Sequence, residues 1–428
     1  MGKDDVANQS ASPGAQPMSA GVFSSPYRWV ILIVAFIVQV CCSFSLSSLP
    51  PIGPYIIKGI GMNYTQFGML FSAVNLGSMI MLTFTGHLVD KIGIRTIMFI
   101  GQILMGICEV VAALIGSLWP LLCILFLVGI CNSIAGPTGA KAILTWFSPK
   151  SRATAMGIKQ AGIPTAGIIA GVVFPSIAIT FGWRGAFVVT GIIIALSGVL
   201  SFALYRDSGI MKEMRKSGVN NVTWREVAAD VFTRDIVLLS IGCAFLMGVQ
   251  FAFTSYLVVY LGQVFTTAAV AAPVVLAGIF YSMNSAGGMA GRVGLGLLSD
   301  RLFGGKRKGT LMAVNVIAAV ILLVIAFAAP KIGVIGLGIL TVLFGLTAVG
   351  FTGLQLSFVS ELAGFKASGA ATGFTLALSF AGMMLVPPVF GKIVDASGAY
   401  FWGWILLAVL AAIGVAFLLP VRESPDKA

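Results

Sequence analysis

Three basic residues lie inside long apolar stretches of this chain: Lys141, Lys159 and Arg292. A charge at the middle of a bilayer costs roughly 3 kcal/mol or more unless it meets a cavity or a partner, so each is a candidate for function. At about 1.5 Å per residue, each sits roughly 10–14 Å in from the helix end marked by Lys150, Arg152 and Asp300 respectively. Cations at similar depth in separate helices could converge on one anion. Helical spacing puts Tyr281, Ser285 and Gly288 on the face of Arg292, giving an aromatic wall, a hydroxyl and a gap beside a guanidinium. That group forks onto planar oxyanions, carboxylates above all. Lys159 and Lys141 are read either as further anion contacts or as side chains reaching back to the membrane surface.

Acids are scarce by comparison. Glu109 is the one carboxylate near the middle of an apolar stretch, a candidate proton site or a packing residue. His87, the single histidine, lies beside Asp90 and could relay a proton or merely sit at the interface. Uncharged polar residues pair at helical spacing in several stretches: Gln39 with Ser43, Ser72 with Asn75, Gln250 with Thr254, Thr352 with Gln355, and Thr375 with Thr372 and Ser379. Each pair alone reads as a helix–helix hydrogen bond; together they suit a wet path. The six cysteines show no metal spacing, and no nucleophile–base pair or nucleotide loop stands out, so neither an enzyme nor a cofactor is expected.

These residues need helices in lipid to position them. Of 428 residues, 58% are hydrophobic and only 9% charged, with a mean hydropathy of +1.02. Twelve stretches are long enough to span a bilayer: 28–50, 64–87, 95–116, 118–147, 153–180, 185–205, 234–262, 269–299, 309–329, 333–361, 367–394 and 399–420. The expected class is therefore all-α and polytopic. Its parts are a loose tail over 1–26, six helices over 27–205, a linker over 206–233, six more helices over 234–420 and a short tail over 421–428. The linker contains an amphipathic stretch, Thr223–Phe232, suited to the membrane surface. The net charge of +12 needs no nucleic acid. Assigning loops alternately to two sides places 19 of the 26 Lys and Arg on the side of both termini, and only Lys58, Arg184, Lys331 and Lys392 opposite. This bias makes both termini cytoplasmic.

Two loops repeat one pattern. The first runs Gly86-His87-Leu88-Val89-Asp90-Lys91-Ile92-Gly93-Ile94-Arg95 after the second stretch, and the second runs Gly296-Leu297-Leu298-Ser299-Asp300-Arg301-Leu302-Phe303-Gly304-Gly305-Lys306-Arg307 after the eighth. An acid, a base and a glycine recurring six helices apart resemble the loop motif of the major facilitator superfamily. The resemblance implies two parallel six-helix bundles, a monomer, substrate held between the halves, and rocking alternating access. Gly86, Asp90, Lys91, Gly93, Arg95, Gly296, Asp300 and Arg301 would then serve conformational change. Gly291-Arg292 followed by Asp300-Arg301 also resembles the eighth helix of bacterial oxalate/formate exchangers and monocarboxylate transporters, whose matching arginine binds the substrate carboxylate. Gly157-Ile158-Lys159-Gln160 resembles a run in facilitators of small anions. The expectation is a secondary transporter of a small organic anion in the cytoplasmic membrane, by proton symport or anion exchange. Its site would comprise Arg292, Lys159, Lys141, Tyr281, Ser285, Gln250, Thr254, Gln355, Thr375, Ser379, Gln39 and Asn75. An exporter of amphipathic drugs and a transporter-like nutrient sensor are the rivals.

Overall fold

The computed structural model describes residues 25–208, 231–302 and 306–423. Every regular element among them is helical. The expected surface stretch Thr223–Phe232 and both tails fall almost wholly outside the described residues. The helices are α1 (Tyr27–Ser47), α2 (Leu49–Ile60), α3 (Tyr64–Ile92), α4 (Ile94–Leu114), α5 (Leu118–Asn132), α6 (Ala135–Trp146), α7 (Pro149–Gln160) and α8 (Gly162–Leu204). Then come α9 (Arg234–Thr267), α10 (Pro273–Leu302), α11 (Arg307–Phe344), a π-helical turn (Gly345–Val349), α12 (Thr352–Ser397) and α13 (Tyr400–Leu418).

Ten described segments are long and apolar enough to cross a membrane. One of them, Thr154–Leu204, folds back on itself at Gly182 and makes two crossings. Pro273–Leu302, more polar but 30 residues long, completes twelve. Large apolar side chains cover the outside, with Ile335 81% and Leu114 79% exposed, as a lipid-facing surface requires. Three hairpins turn without any loop, at Gly182, Gly333 and Gly364, whose φ values of 72°, 71° and 69° lie where glycine alone carries no Cβ penalty.

Several spans are broken, and each break has a local cause. The first span continues to Ile60, ten residues beyond the expected end at 50. Pro50 and Pro51 there fall in the first turn of α2, where a missing N–H removes no helical bond. The fourth span breaks at Ser133–Ile134 and resumes at Ala135, which likewise puts Pro137 in a first turn. The fifth breaks at Ala161, between α7 and α8. The tenth widens into the π-turn, a device common at functional sites.

Helices up to Leu204 pack among themselves, as do those from Arg234 onward. The two sets meet along α3 with α12, α8 with α10, and α2 with α9. At the α8–α10 crossing the backbones nearly touch. A Cβ on Gly171 would collide with the Gly278 carbonyl and Ser282, and one on Gly278 with the Gly171 carbonyl and Pro175. Gly287 and Gly291 give the same closeness between α10 and the tenth span. These are packing glycines in the small-xxx-small sense.

Candidate functional site

Where the two sets of helices meet, a cavity of about 90 Å³ remains. At roughly 10–15 Å³ per water, it has room for on the order of six waters. Its walls come from the first, second, fifth, seventh, eighth and tenth spans. The polar lining consists of Ser47, Gln250, Thr254, Ser255, Tyr281, Asn284, Ser285 and Arg292; Phe71, Phe251 and Val349 are among the apolar residues.

Among the described residues, Arg292 is the only charge on this wall. One of its terminal N–H groups donates to the Gln160 carbonyl at 2.9 Å, across to the other set of helices. Gln160 can accept because α7 ends there, leaving its carbonyl without a helical partner. The Nε of Arg292 is buried and has no partner among the described residues. The same holds for Oε1 of Gln250 and for both side-chain polar atoms of Asn284. A buried cation with donors to spare, ringed by unpaired amides, is built to receive an oxygen-rich anion.

The expected residues divide into those that reach this cavity and those that do not. Arg292, Tyr281, Ser285, Gln250 and Thr254 line it. Lys159 is 2% exposed but lies on Gly139, where a Cβ would press on its methylene chain, inside the first set of helices and off the cavity wall. It makes no hydrogen bond to a described residue, so its charge is uncommitted.

Lys141 also lies off the cavity wall. Its Nζ donates to Asp90 at 2.5 Å and to the Gly86 carbonyl at 2.7 Å, near the end of the molecule that carries the termini. In this arrangement its charge is paired within the loop motif. Gln355 donates to Ser379 at 3.0 Å, Thr375 bonds Ser240 at 2.7 Å, and Gln39 donates to Ser43 at 3.3 Å. Gln355, Ser379 and Thr375 are thus engaged in bonds between spans, and Gln39 in a bond within α1. Asn75 donates to the Phe71 carbonyl and keeps Oδ1 unpaired, outside the cavity lining.

Glu109 is fully buried and neither carboxyl oxygen has a partner among the described residues. His87 is exposed. In the loop motifs, Gly93 makes the turn between α3 and α4 with φ 106°. Arg95 donates to the Phe202 carbonyl and stacks over that ring at 4.1 Å. Asp300 accepts from Arg307 at 2.6 Å, and Arg307 also holds Glu361 at 3.2 Å. Arg301 is exposed, and Gly296 has open space beside it. All these ion pairs stay within one set of helices. Asn284 escaped the sequence reading, because a lone Asn in an apolar helix has the same signature as a helix–helix hydrogen bond.

The contacts that join the sets gather toward the opposite end. There Asp395, at the end of α12, accepts from the backbone N–H of Tyr64 at 2.9 Å, from that of Thr65 at 2.8 Å, and from the Thr65 hydroxyl at 2.6 Å. Asn63 and Gln66 form a capping box that serves the neighbouring amides, so Asp395 takes the two first-turn donors left over. The Tyr256 hydroxyl bonds the Tyr64 and Pro387 carbonyls at 2.6 and 3.0 Å. A wider hollow of about 490 Å³, lined by Pro54, Tyr64, Gln263 and Thr266, opens beside this seam.

Known proteins share both the sequence and the shape. Residues 35–387 match the sequence model of the Major Facilitator Superfamily. The chain is 27% identical over 400 residues to an uncharacterized MFS-type transporter of Mycobacterium tuberculosis, covering 93% of this chain and 86% of that one. It is 25% identical to the hexuronate transporter of Bacillus subtilis, covering 92% and 96%. It is also 25% identical to the probable sulfoacetate transporter of Cupriavidus necator, covering 87% and 90%. The crystal structure of the nucleoside transporter NupG superimposes with a TM-score of 0.76 at 15% identity, covering 93% of this chain and all of that one. Twelve spans in two packed sets, a central polar cavity and a sequence match over most of the length make this multi-pass membrane protein a member of the Major Facilitator Superfamily, a transporter and not an enzyme.

Proposed function

We propose that the chain carries a small organic anion, a carboxylate first among the candidates, across the cytoplasmic membrane by alternating access. The observation that carries this reading is the Arg292 guanidinium, buried on the cavity wall with its Nε unpaired. The cargo's oxyanion takes that free edge, while the Gln160 carbonyl holds the other side of the guanidinium in place. Names among the relatives, hexuronate and sulfoacetate, are those of organic anions and support the same class. The asymmetry of Lys and Arg supports an orientation with both termini in the cytoplasm. Both sets of helices in one chain build the cavity, which supports a single copy as the transport unit. Lys159, uncommitted and one turn before Ile163 of the cavity wall, adds positive potential without touching the cargo.

Thermal stabilisation of the purified protein tests this, using a panel of carboxylates, sulfonates and lipophilic cations, followed by uptake into proteoliposomes. Carboxylates should stabilise the protein and Arg292→Ala should abolish the effect. Stabilisation by lipophilic cations alone, unchanged in Arg292→Ala, would sink the reading in favour of a drug exporter. Uptake driven by an inward proton gradient into vesicles holding no internal anion then marks symport, and uptake only against a preloaded anion marks exchange.

A further inference from the structure

Asn284 adds a demand on the cargo that a cation alone does not make. It lies eight residues before Arg292 on α10, two turns away on the same face and about 12 Å along the axis. Side chains on a helix lean toward its N-terminus, so the long arginine reaches back along the wall toward the amide. The Asn284 side chain is 1% exposed, and neither its Nδ2 nor its Oδ1 has a partner among the described residues. Its main chain is fixed, since a Cβ on Gly345 of the π-turn would strike the Asn284 carbonyl. From α9, Gln250 presents an unpaired Oε1 to the same cavity.

A buried amide with both donor and acceptor idle is rare and costly, and it calls for a ligand group that uses them. A bare carboxylate has no hydrogen to give Oδ1 of Asn284 or Oε1 of Gln250. A hydroxyl both donates and accepts, and so satisfies the amide on both counts. Resting on Arg292 as the anion anchor, we propose that Asn284, with Gln250, is a specificity-determining residue that reads a hydroxyl on the cargo. The preferred substrates are then hydroxy acids of a few carbons, with the acid group at Arg292 and a hydroxyl on the chain beyond it.

Matched pairs test this on the full-length protein: lactate against propionate, and malate against succinate, by thermal stabilisation and by competition for uptake. A site built to bond a hydroxyl discriminates strongly against an analogue lacking it. In the native protein each preferred hydroxy acid should act at a concentration at least tenfold below its deoxy partner. In Asn284→Ala the ratio should fall to within about twofold while deoxy-acid binding persists, and in Arg292→Ala both acids should lose binding. A native ratio below twofold, or a ratio that survives Asn284→Ala, overturns the proposal while leaving the anion site standing. Failure of every acid to bind, with Arg292→Ala indistinguishable from native, overturns the anion reading and this one with it. If Asn284→Ala does not fold, Gln250→Ala and the native ratio decide alone, a ratio under twofold in the native protein being the contrary result.

Discussion

Arg292 donates across the seam between the two sets of helices and still keeps an unpaired edge. Its geometry matters as much as its charge, because a guanidinium is a rigid fork and an ammonium a single point. Arg292→Lys should therefore retain some binding but weaken it by about tenfold or more, measured as the carboxylate concentration that half-saturates stabilisation. Lys141 gives the opposite expectation. Its bridge to Asp90 is partly exposed, 27% and 55% for the two side chains, and such pairs contribute about 0–1 kcal/mol. Lys141→Ala should leave carboxylate affinity within about twofold and lower stability only slightly. The sequence makes every buried charge visible but not which neighbour neutralises it. Lys141 and Arg292 look alike as letters; one meets Asp90 and the other meets open space only once the chain is folded.

Among the elements, hydropathy locates most spans because lipid tolerates little but helix. What it misses has a physical reason in each case. Proline at 50, 51 and 54 reads as a terminator, yet a break at Ser48 lets a new helix start beneath the first two. The π-turn at Gly345–Val349 leaves no periodic signature, being one widened turn held by the packing of Asn284 and Gly291 on span-10 glycines. A spacing such as Gly167 with Gly171 is visible in the sequence, but its partner is not: Gly171 finds Gly278, in the other set of helices. This crossing offers a direct test of the need for close approach. Gly278→Val forces atoms into the Gly171 carbonyl and Pro175, and overpacking of this kind costs about 1–3 kcal/mol. We expect a lower Tm together with loss of uptake, whereas Gly294→Val, at a position on the same helix with open space beside it, should leave both near native.

At the scale of the whole molecule, Asp395 is the principal polar tie between the two sets at the end away from the termini. Charge-assisted bonds to free first-turn amides are strong for their size, and the helix dipole adds to them. Asp395→Ala should loosen that end. With Thr254→Cys placed on the cavity wall, a membrane-impermeant thiol reagent added to the face opposite the termini should label the double variant several-fold faster than Thr254→Cys alone. Equal rates would mean that the aromatic seam around Tyr256, and not Asp395, keeps that end shut.

The tie has an uneven genetics. On one side it depends on a single carboxylate; on the other it grips main chain, which every amino acid but proline supplies. Replacing the side chains of Tyr64 or Thr65 leaves both backbone bonds in place. A random-mutant selection for carriers that spend more time open to the far face should thus return many substitutions at 395. At 64 and 65 it should return chiefly proline, which a helix accepts in its first turn while withholding the hydrogen that Asp395 holds.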